Sequence, residues 1–314
     1  MRCVDLFAGV GGIRLGFEGA GFSTVFSNDL EPACKETFDL NFDESPLIIK
    51  DINEVNIDSM PDFDILLAGF PCQPFSVAGY RQGFKDAKGR GNLFFRIAKI
   101  IEEKKPKVVF LENVKNLKTH DKGKTFRVIK ETLEELGYYV KSEILNTKSH
   151  GNIPQNRERI LIVGFLDKTV ADKFSFPEEV KLDRKIKDFL ETDVSDKYYY
   201  HGKPLYDKLK KDVKKKNTAY QWRRRYVREN KSGVVPTLTA NMGTGGHNVP
   251  IILDDKGIRK LTPKECFVFQ GFPKTYKLPE IADSKLYKQA GNSVSVTVIE
   301  RVANNIKKAL ENGN

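Results

Sequence analysis

Cysteine and histidine are both scarce, with four of each in a chain of 314 residues. The cysteines (Cys3, Cys34, Cys72 and Cys266) lie far apart in the sequence, and no C-x-x-C pair occurs. Zinc sites and disulfide frameworks depend on clustered cysteines and histidines, so the sequence predicts neither, and no metal site is expected. A reduced intracellular compartment fits this cysteine usage.

Long apolar runs are also missing. No stretch approaches the roughly 18 consecutive apolar residues that a membrane span needs, so no membrane protein is expected. An acid, Asp5, interrupts the first apolar run, and no signal-peptide core follows it. These absences predict a cytoplasmic protein.

Acidic residues are outnumbered by basic ones, 42 to 53, which gives a net charge of +11. The segment from Lys203 to Lys231 holds twelve Lys or Arg against three Asp or Glu and therefore carries most of the excess. A local basic surface indicates a polyanionic partner, with nucleic acid as the first expectation. A solvated, disordered basic loop is the alternative.

Short apolar runs alternate with amphipathic stretches in the first half of the chain. The strand candidates are Cys3–Phe7, Thr24–Ser27, Ile65–Ala68, Val108–Leu111, Tyr138–Leu145 and Ile160–Phe165, and the helix candidates are Pro32–Leu40, Asn92–Lys104 and Thr125–Leu136. Several strand candidates are continuously apolar, which is typical of strands buried on both faces of a parallel sheet. We predict an α/β fold whose mostly parallel sheet has helices on both faces.

The alternating pattern ends near Phe174–Pro177. A polar region rich in lysine and tyrosine follows, to about Leu261, and it predicts a second, smaller and irregular domain. The apolar spacing of Val294–Leu310 then predicts an amphipathic helix that packs on the first domain.

A glycine-rich turn follows the first strand candidate, within Asp5–Gly12. It is not the dinucleotide-binding fingerprint, because Arg14 stands where that pattern needs glycine. Asp29 follows Gly9 by 20 residues, where an acid commonly binds ribose hydroxyls, and Asp51 follows a third apolar run. The turn with both acids favours an adenosine-type cofactor without a pyrophosphate over a purely structural turn.

Cys72 lies in a loop bounded by Pro71 and Pro74, directly after the strand candidate that ends at Ala68. Open α/β sheets bind ligands at the carboxyl ends of their strands, so this position favours a nucleophile over a buried packing residue. Cys3 and Cys34 are interpreted as packing residues.

Two other strand ends carry polar groups. Glu112 follows an apolar run, where partial burial would suit a proton or hydrogen-bond donor, although a surface or capping acid is the alternative. Arg157 and Arg159 precede the next strand and offer planar donors for phosphate or a carbonyl oxygen, or else a salt bridge at the strand entry.

Taken together, these elements occur in the order of a known family. The matching segments are Asp5–Gly12, Pro71–Gln73, Glu112–Val114, Gln155–Arg159, Leu261–Cys266, Gln270–Pro273 and Gln289–Val294. The chain resembles the DNA (cytosine-5)-methyltransferases, in particular the compact bacterial modification enzymes, over nearly its whole length outside Phe176–Lys256. The resemblance implies the Rossmann-like fold of S-adenosylmethionine-dependent methyltransferases.

The resemblance implies a mechanism as well. Cys72 would add to C6 of a cytosine flipped out of duplex DNA, with Gln73 beside it, and C5 would then accept the methyl group of S-adenosylmethionine. Glu112 would hold the base at N3 and Arg159 at O2, with Arg157 supporting the same site.

Binding residues are also implied by the resemblance. For the cofactor they are Phe7, Gly9, Gly11, Asp29, Leu30, Asp51, Ile52, Pro71, Leu93, Asn292 and Ser293. Asp29 stands where many relatives have Glu, and the shorter carboxylate should still reach a ribose hydroxyl. For DNA they are Ser76, Arg223, Arg224, Arg225 and Thr237, and the arginines could read guanine edges or only contact phosphates.

The implied organisation is a catalytic and cofactor-binding domain of residues 1–175 completed by 280–314, with a target-recognition domain and hinge at 176–279. A monomer is expected, together with a restriction endonuclease that acts on the same site without binding the protein directly. An RNA (tRNA) cytosine-5 methyltransferase and a catalytically silent DNA-binding regulator are the alternatives. A nicotinamide oxidoreductase is disfavoured because the dinucleotide fingerprint fails.

Overall fold

The computed structural model of the protein describes residues 1–71, 93–244 and 249–313. Within these ranges, seven strands form one sheet. In chain order they are β1 (Arg2–Leu6), β2 (Ser23–Asp29), β3 (Ile48–Ile49), β4 (Ile65–Gly69), β5 (Val108–Val114), β6 (Tyr139–Asn146) and β7 (Glu158–Phe165). Their order across the sheet is β3-β2-β1-β4-β5-β7-β6.

The sheet is mostly parallel, as predicted. Neighbouring strands from β3 to β5 all pair in parallel, whereas β7 runs antiparallel to β5. The carboxyl ends of β1, β2, β4 and β5 therefore lie along one edge, and the turns that follow these strands are the places where ligands bind in open α/β sheets.

Ten α-helices are present in the described part of the chain. They are α1 (Gly12–Gly19), α2 (Ala33–Asp39), α3 (Leu93–Lys104), α4 (Lys124–Glu135), α5 (Thr147–His150), α6 (Lys168–Lys173), α7 (Tyr206–Asp212), α8 (Pro263–Phe269), α9 (Asp283–Asn292) and α10 (Val296–Gly313). The four predicted helices correspond to α2, α3, α4 and α10.

Helices cover both faces of the sheet at β5. Successive residues of a strand point to opposite faces, and both Phe110 and Leu111 are fully buried. The Phe110 ring lies 5.1 Å from the ring of Phe17 on α1. Leu111 instead belongs to the main apolar core, which includes Ile97 of α3 and Ile129 of α4. This two-sided burial explains the continuously apolar sequence of the strand.

The last helix packs on the first one, as the amphipathic pattern predicts. A Cβ atom on Gly16 of α1 would lie 2.7 Å from Ile299 of α10, so glycine is required at this contact. The Lys307 ammonium on α10 also donates to the carbonyl oxygen of Ala20 at 3.1 Å.

The chain divides into two compact units. The first comprises Met1–Leu145, Glu158–Pro177 and Ile299–Asn314, and the second comprises Asn146–Arg157 and Glu178–Val298. Packing thus groups residues 280–298 with the second unit, whereas the sequence expectation assigned them by function to the first domain. The functional division stays a prediction.

A small antiparallel sheet organises part of the second unit. Its strands are β8 (Tyr220–Trp222), β9 (Val227–Glu229), β10 (Ile251–Leu253) and β11 (Ile258–Lys260), in the order β11-β10-β8-β9. Tyr220, Trp222, Ile251 and Leu209 form its buried core. The region that shows no periodicity in sequence is therefore folded, and its short strands are too brief to give a periodic signal.

A buried ion pair anchors α8 to this sheet. The Arg259 guanidinium on β11 donates to both carboxylate oxygens of Glu265, at 2.7 and 2.8 Å, and neither side chain is exposed. Glu265 also accepts the backbone N–H of Thr262, which closes a capping box at the start of α8.

Candidate active site

The glycine-rich turn after β1 contains unusual backbone conformations. Phe7, Gly9 and Gly11 have φ values of 57°, 55° and 78°, and this left-handed region is costly for a bulky residue such as Phe7. A Cβ on Gly11 would lie 2.3 Å from the Phe42 ring, whereas one on Gly9 would meet nothing within 4 Å. The turn is thus packed tightly at Gly11 and open at Gly9. Strain of this kind is typical of functional sites.

Asp29, at the end of β2, is joined directly to this turn. Its carboxylate accepts the backbone N–H of Gly9 at 2.8 Å and that of Glu31 at 2.8 Å. Burial raises the pKa of Asp29, and the backbone N–H groups counteract that rise. One hydrogen bond therefore joins two residues that are 20 positions apart in the sequence, and it holds the Asp29 carboxylate against the glycine-rich turn.

Asp51 and Ile52 follow β3 at the same edge. The backbone N–H of Lys50 donates to the Asp29 carbonyl oxygen at 3.0 Å, so Asp51 directly follows a residue that is bound to the end of β2. The Asp51 carboxylate accepts two hydrogen bonds from Asn53, each 2.9 Å, and Ile52 is buried. The structure brings together the predicted segments 7–11, 29–30 and 51–52.

Arg96 on α3 is a residue of this region that the sequence analysis missed. Its guanidinium donates to the carbonyl oxygen of Ile52 at 3.0 Å and to that of Val55 at 2.5 Å. The predicted cofactor residue Leu93 begins the same helix and packs against the main core. Arg96 therefore fixes α3 to the Asp51–Ile52 segment, which no motif in the sequence indicates.

These residues fit an adenosine-type group. Leu30 is 65% exposed and directly follows the half-buried Asp29, so an apolar surface adjoins a carboxylate. Gly9 leaves open space beside the same carboxylate. An exposed leucine suits an adenine face, and carboxylates accept hydrogen bonds from ribose hydroxyls.

Glu112 and Arg159 meet between β5 and β7. The Glu112 carboxylate lies 3.0 Å from the Arg159 Nε, and the side chains are only 10% and 18% exposed. In the antiparallel ladder Arg159 pairs with Val114, two residues beyond Glu112 and on the same face of the sheet. The interpretation of Glu112 as a surface or capping acid is excluded by this buried ion pair.

The chain that leads to Cys72 passes beside Glu112. Gly69 is the ladder neighbour of Glu112, and a Cβ on Gly69 would lie 3.7 Å from the Glu112 carboxylate. The next residue, Phe70, has its carbonyl oxygen bound by the side-chain amide of Asn113 at 2.9 Å. Asn113, which belongs to the matching segment Glu112–Val114 but was not among the predicted site residues, thus fixes the backbone next to Glu112.

Three predicted residues, Cys72, Gln73 and Ser76, lie outside the described residues. Pro71 is the last described residue before them and is exposed. The buried Cys3 and Cys34 are packing residues, as the sequence analysis expected.

Arg157 lies in the second unit, where its guanidinium meets backbone carbonyl oxygens. It is buried, and its guanidinium donates to three backbone carbonyl oxygens: Leu238 at 2.8 Å, Gly291 at 3.2 Å, and Ser293. The prediction placed Arg157 in support of a base-binding pocket. The hydrogen bonds fasten the segment after Thr237 to the end of α9, and the support of a base-binding pocket stays a prediction.

A second buried side chain reinforces this connection. Gln155 donates to the carbonyl oxygen of Phe269 at 2.7 Å and accepts the backbone N–H of Leu238 at 3.3 Å. A Cβ on Gly291 would lie 2.2 Å from the backbone of Thr239, so the two backbones are in direct contact. Gln155 is the first residue of the matching segment Gln155–Arg159. The contact by which it holds the backbone in place is with Leu238, more than 80 residues away in the sequence.

The predicted Asn292 and Ser293 end α9 in this same network, Asn292 exposed and Ser293 buried. Thr237 donates its hydroxyl to the Asn156 carbonyl oxygen at 2.6 Å. Within the second unit, the structure therefore brings the Thr237 segment next to the Asn292–Ser293 segment.

The three predicted DNA-binding arginines form the tip of a hairpin between β8 and β9. Arg223, Arg224, Arg225 and Tyr226 are all exposed, and the Arg223 N–H donates to the Tyr226 carbonyl oxygen at 2.9 Å. Arg224 has a φ of 64°, which is uncommon for a residue other than glycine. Three adjacent cations and an exposed aromatic ring suit a nucleic-acid partner.

Among the helices of the described residues, none has both the length and the apolar character that a membrane crossing requires.

Comparison with known proteins identifies a family and relatives that this chain resembles in sequence. The family model described as C-5 cytosine-specific DNA methylase matches residues 1–308. The Type II methyltransferase M.Bsp6I of Bacillus sp. (strain RFL6) is 54% identical over 315 residues, covering 99% of each chain. The Type II methyltransferase M.HaeII of Haemophilus aegyptius is 44% identical, covering 98% of this chain and 93% of its own.

Solved structures share the fold. The S. pombe Dnmt2 methyltransferase matches with a TM-score of 0.76 and 20% identity over 99% of both chains. A putative DNA modification methyltransferase encoded within an E. coli prophage matches with a TM-score of 0.69 and 20% identity, again over 99% of both. At this identity the likeness concerns the fold alone.

Proposed function

Because the chain belongs to the C-5 cytosine-specific DNA methylase family and is a DNA (cytosine-5)-methyltransferase of the bacterial Type II restriction-modification type, we propose that it uses S-adenosylmethionine to methylate a cytosine flipped out of duplex DNA. The reaction proceeds through a covalent bond between Cys72 and C6 of the base. Flipping is required because C6 is inaccessible within a base-paired duplex.

The ion pair of Glu112 and Arg159 is the observation that best supports this proposal. O2 is the oxygen on C2, the ring atom next to N3, so the groups that bind N3 and O2 must lie side by side. The two side chains meet at 3.0 Å, nearly buried, beside the strand end that leads to Cys72. A flipped cytosine would insert at this pair, with Glu112 at N3 and Arg159 at O2.

Cys72 and Glu112 are assigned to the addition step. The Cys72 thiolate adds to C6, and the electron pair of the C5–C6 double bond makes C5 nucleophilic while Glu112 supplies a proton at N3. C5 would then accept the methyl group that the bound cofactor supplies, and the bond between the methyl carbon and the sulfonium sulfur would break, leaving a neutral thioether. A base removes the C5 proton, the C5–C6 double bond re-forms, the sulfur of Cys72 leaves C6 as a thiolate, and N3 returns its proton to Glu112. Gln73 is assigned to the catalytic loop beside Cys72.

The cofactor is assigned to the edge formed by β1, β2 and β3. Asp29 would accept from ribose hydroxyls, Leu30 would pack on the adenine, and Asp51 with Ile52 would border its edge. Phe7, Gly9, Gly11, Pro71, Leu93, Asn292 and Ser293 are the other residues proposed to hold it. When bound, it supplies an electrophilic methyl group on a sulfonium.

Residues 176–279 are proposed to read the DNA sequence. The hairpin tip of Arg223, Arg224 and Arg225 offers guanidinium groups to guanine edges or phosphates, and Thr237 and Ser76 are assigned to the DNA backbone. In this assignment residues 1–175 and 280–314 carry the chemistry, and residues 176–279 carry recognition. The biological role would be protection of DNA from an endonuclease of the same specificity, with the methyltransferase acting as a monomer.

Methyl transfer from labelled S-adenosylmethionine tests the proposal. The wild-type protein should label duplex DNA, Cys72→Ala should not, and tRNA should remain unlabelled. Bisulfite sequencing of the product should then locate 5-methylcytosine within one recurrent sequence. Transfer by Cys72→Ala at the wild-type rate would contradict the assigned nucleophile, and labelling of tRNA alone would contradict the substrate.

A further inference from the structure

A cluster of lysines directly follows the strand that carries Glu112. We name residues 115–124 the basic loop; it holds Lys115, Lys118, Lys122 and Lys124 against one acid, Asp121. All four lysines are exposed. Lys115 forms an ion pair with Glu158, whereas the other three have no ion pair among the described residues. The loop therefore presents three uncompensated cations at the edge of the sheet where Glu112 and Arg159 meet.

The basic loop has a defined conformation. Leu117 is fully buried in the main core, and the His120 ring nitrogen Nδ1 lies 2.6 Å from the hydroxyl of the buried Thr125. Asp121 and Lys122 both adopt left-handed conformations, with φ values of 48° and 54°, and Gly123 continues them at 81°. Left-handed backbone is unfavourable for residues other than glycine, and such strain persists only where the surroundings enforce it.

Folding stability does not explain the lysines. Lys124 is the first residue of α4, whose first turn contains no acid and whose preceding Gly123 provides no side-chain cap. A cation at a helix start opposes the helix dipole, so Lys124 is unfavourable for the helix itself. Cations that a fold does not pair and does not need are available for an anionic partner.

We propose that the basic loop binds the sugar-phosphate backbone of the duplex substrate through Lys118, Lys122 and Lys124. This inference rests on the proposed function and extends it, since the DNA-binding residues assigned above do not include the basic loop. Phosphate contacts fix the position of a duplex without reading its sequence. Contacts at the end of β5 would hold the phosphates near the flipped cytosine while Glu112 and Arg159 bind the base.

The strand itself provides a matched control. Lys99, Lys105 and Lys107 precede β5, so Lys105 and Lys107 lie at the opposite end of a strand about 20 Å long. Replacing these three by glutamine changes the net charge as much as replacing Lys118, Lys122 and Lys124. The control removes two ion pairs, Lys99 with Glu103 and Lys107 with Asp64, which are on the surface and contribute little to stability.

Equilibrium binding to a fluorescent duplex at several salt concentrations tests the proposal. The duplex carries the site located by bisulfite sequencing, and a scrambled duplex is measured in parallel. For Lys118→Gln/Lys122→Gln/Lys124→Gln, the slope of log K against log salt should become shallower by about 0.9 for each phosphate that the protein no longer neutralises. Affinity should fall about 10-fold or more near physiological salt, by the same factor for both duplexes.

The control triple variant should keep the wild-type slope, and S-adenosylmethionine binding should be unchanged in both triple variants, which also verifies folding. Single variants Lys118→Gln and Lys122→Gln provide the measurement if the triple variant does not fold. A wild-type slope in the basic-loop variants, or equal losses in the control, would overturn the proposal. A wild-type protein that does not bind duplex DNA contradicts the proposed function instead.

Discussion

Glu112 and Arg159 come from strands that are far apart in sequence, yet their charged groups lie 3.0 Å apart in a nearly buried position. Each side chain fixes the other where neither has much access to water. Replacing either one leaves the partner as a partly buried charge without its counter-ion, which is costly. The pair therefore has a structural consequence as well as the proposed chemical one, and tests must separate the two.

Glu112→Gln is expected to lower the methylation rate strongly. The amide keeps the shape of the carboxylate but cannot supply a proton at N3, a contribution of about 10²–10⁴ in rate for a general acid. Single-turnover methylation of a saturating duplex measures the effect. Glu158→Gln, which removes a half-exposed carboxylate paired with Lys115, serves as the control and should retain near wild-type turnover. Equal losses in both variants would argue against a specific role for Glu112.

Arg157→Lys is expected to impair folding stability and both binding constants more than the chemical step. A lysine cannot span the carbonyl oxygens of Leu238, Gly291 and Ser293, and each buried acceptor left unpaired costs about 1–3 kcal/mol. Urea unfolding and the separate KM values for DNA and S-adenosylmethionine report this. The outcome that contradicts a positioning role is a lower kcat with unchanged stability and unchanged KM values.

Arg259→Met should destabilise the fold by about 3–5 kcal/mol, because it leaves the buried Glu265 carboxylate without its cation. The double variant Arg259→Met/Glu265→Gln should recover part of that loss. Lys256→Gln breaks the surface ion pair with Asp196 and should change stability little. Chemical denaturation of the three variants checks the order; similar midpoints for Arg259→Met and Lys256→Gln would refute it.

Asp5→Asn should change how stability depends on pH. Burial raises the pKa of Asp5 to about 8, despite the opposing effect of Arg14. Between its ordinary value and about 8, the unfolded chain has lost this proton and the folded chain retains it. Stability of the wild type therefore falls as pH rises through that window and levels off above it.

The asparagine variant lacks this contribution, so its stability relative to wild type should increase from about pH 5 to about pH 8, by at most about 1.4 kcal/mol per pH unit. Urea midpoints at both pH values measure the difference. The exposed Asp58→Asn is the control and should follow the wild type. A difference between Asp5→Asn and wild type that is constant with pH would contradict the raised pKa.

Arg224→Asn should weaken DNA binding without destabilising the protein. Asparagine tolerates the left-handed conformation that Arg224 adopts, so the hairpin tip is preserved while one cation is removed. A change in the ratio of the affinities for two duplexes, one with the site that the enzyme methylates and one with a scrambled sequence, would indicate that Arg224 reads a base. An equal loss on both duplexes indicates phosphate contact, and no loss on either would remove Arg224 from the DNA surface.

The sequence predicts the first unit well because its central strands are buried on both faces. Apolar runs such as that around Phe110 locate six of the seven strands to within a few residues, whereas the two-residue β3 was not among the strand candidates, and Gly11 and Asp29 locate the turn. The acid at position 112 was found from its place after such a run. That it pairs with Arg159 depends on strand order, which local patterns do not encode.

The second unit was less predictable for a physical reason. Its strands have three residues each, so hydrophobic periodicity has no length over which to develop. The roles of Gln155 and Arg157 come from hydrogen bonds to backbone carbonyls, which every residue possesses. A side chain whose partner is backbone leaves no complementary residue in the sequence to mark it.

The reversed direction of β7 decides which residues can join the reacting edge. In a wholly parallel sheet only strand ends and the turns after them reach that edge, whereas β7 begins there. Arg159 is its second residue; in a parallel orientation it would start about 20 Å away, at the far margin of the sheet. Because β7 is inverted, Arg159 at the start of its strand can lie opposite Glu112 near the end of β5.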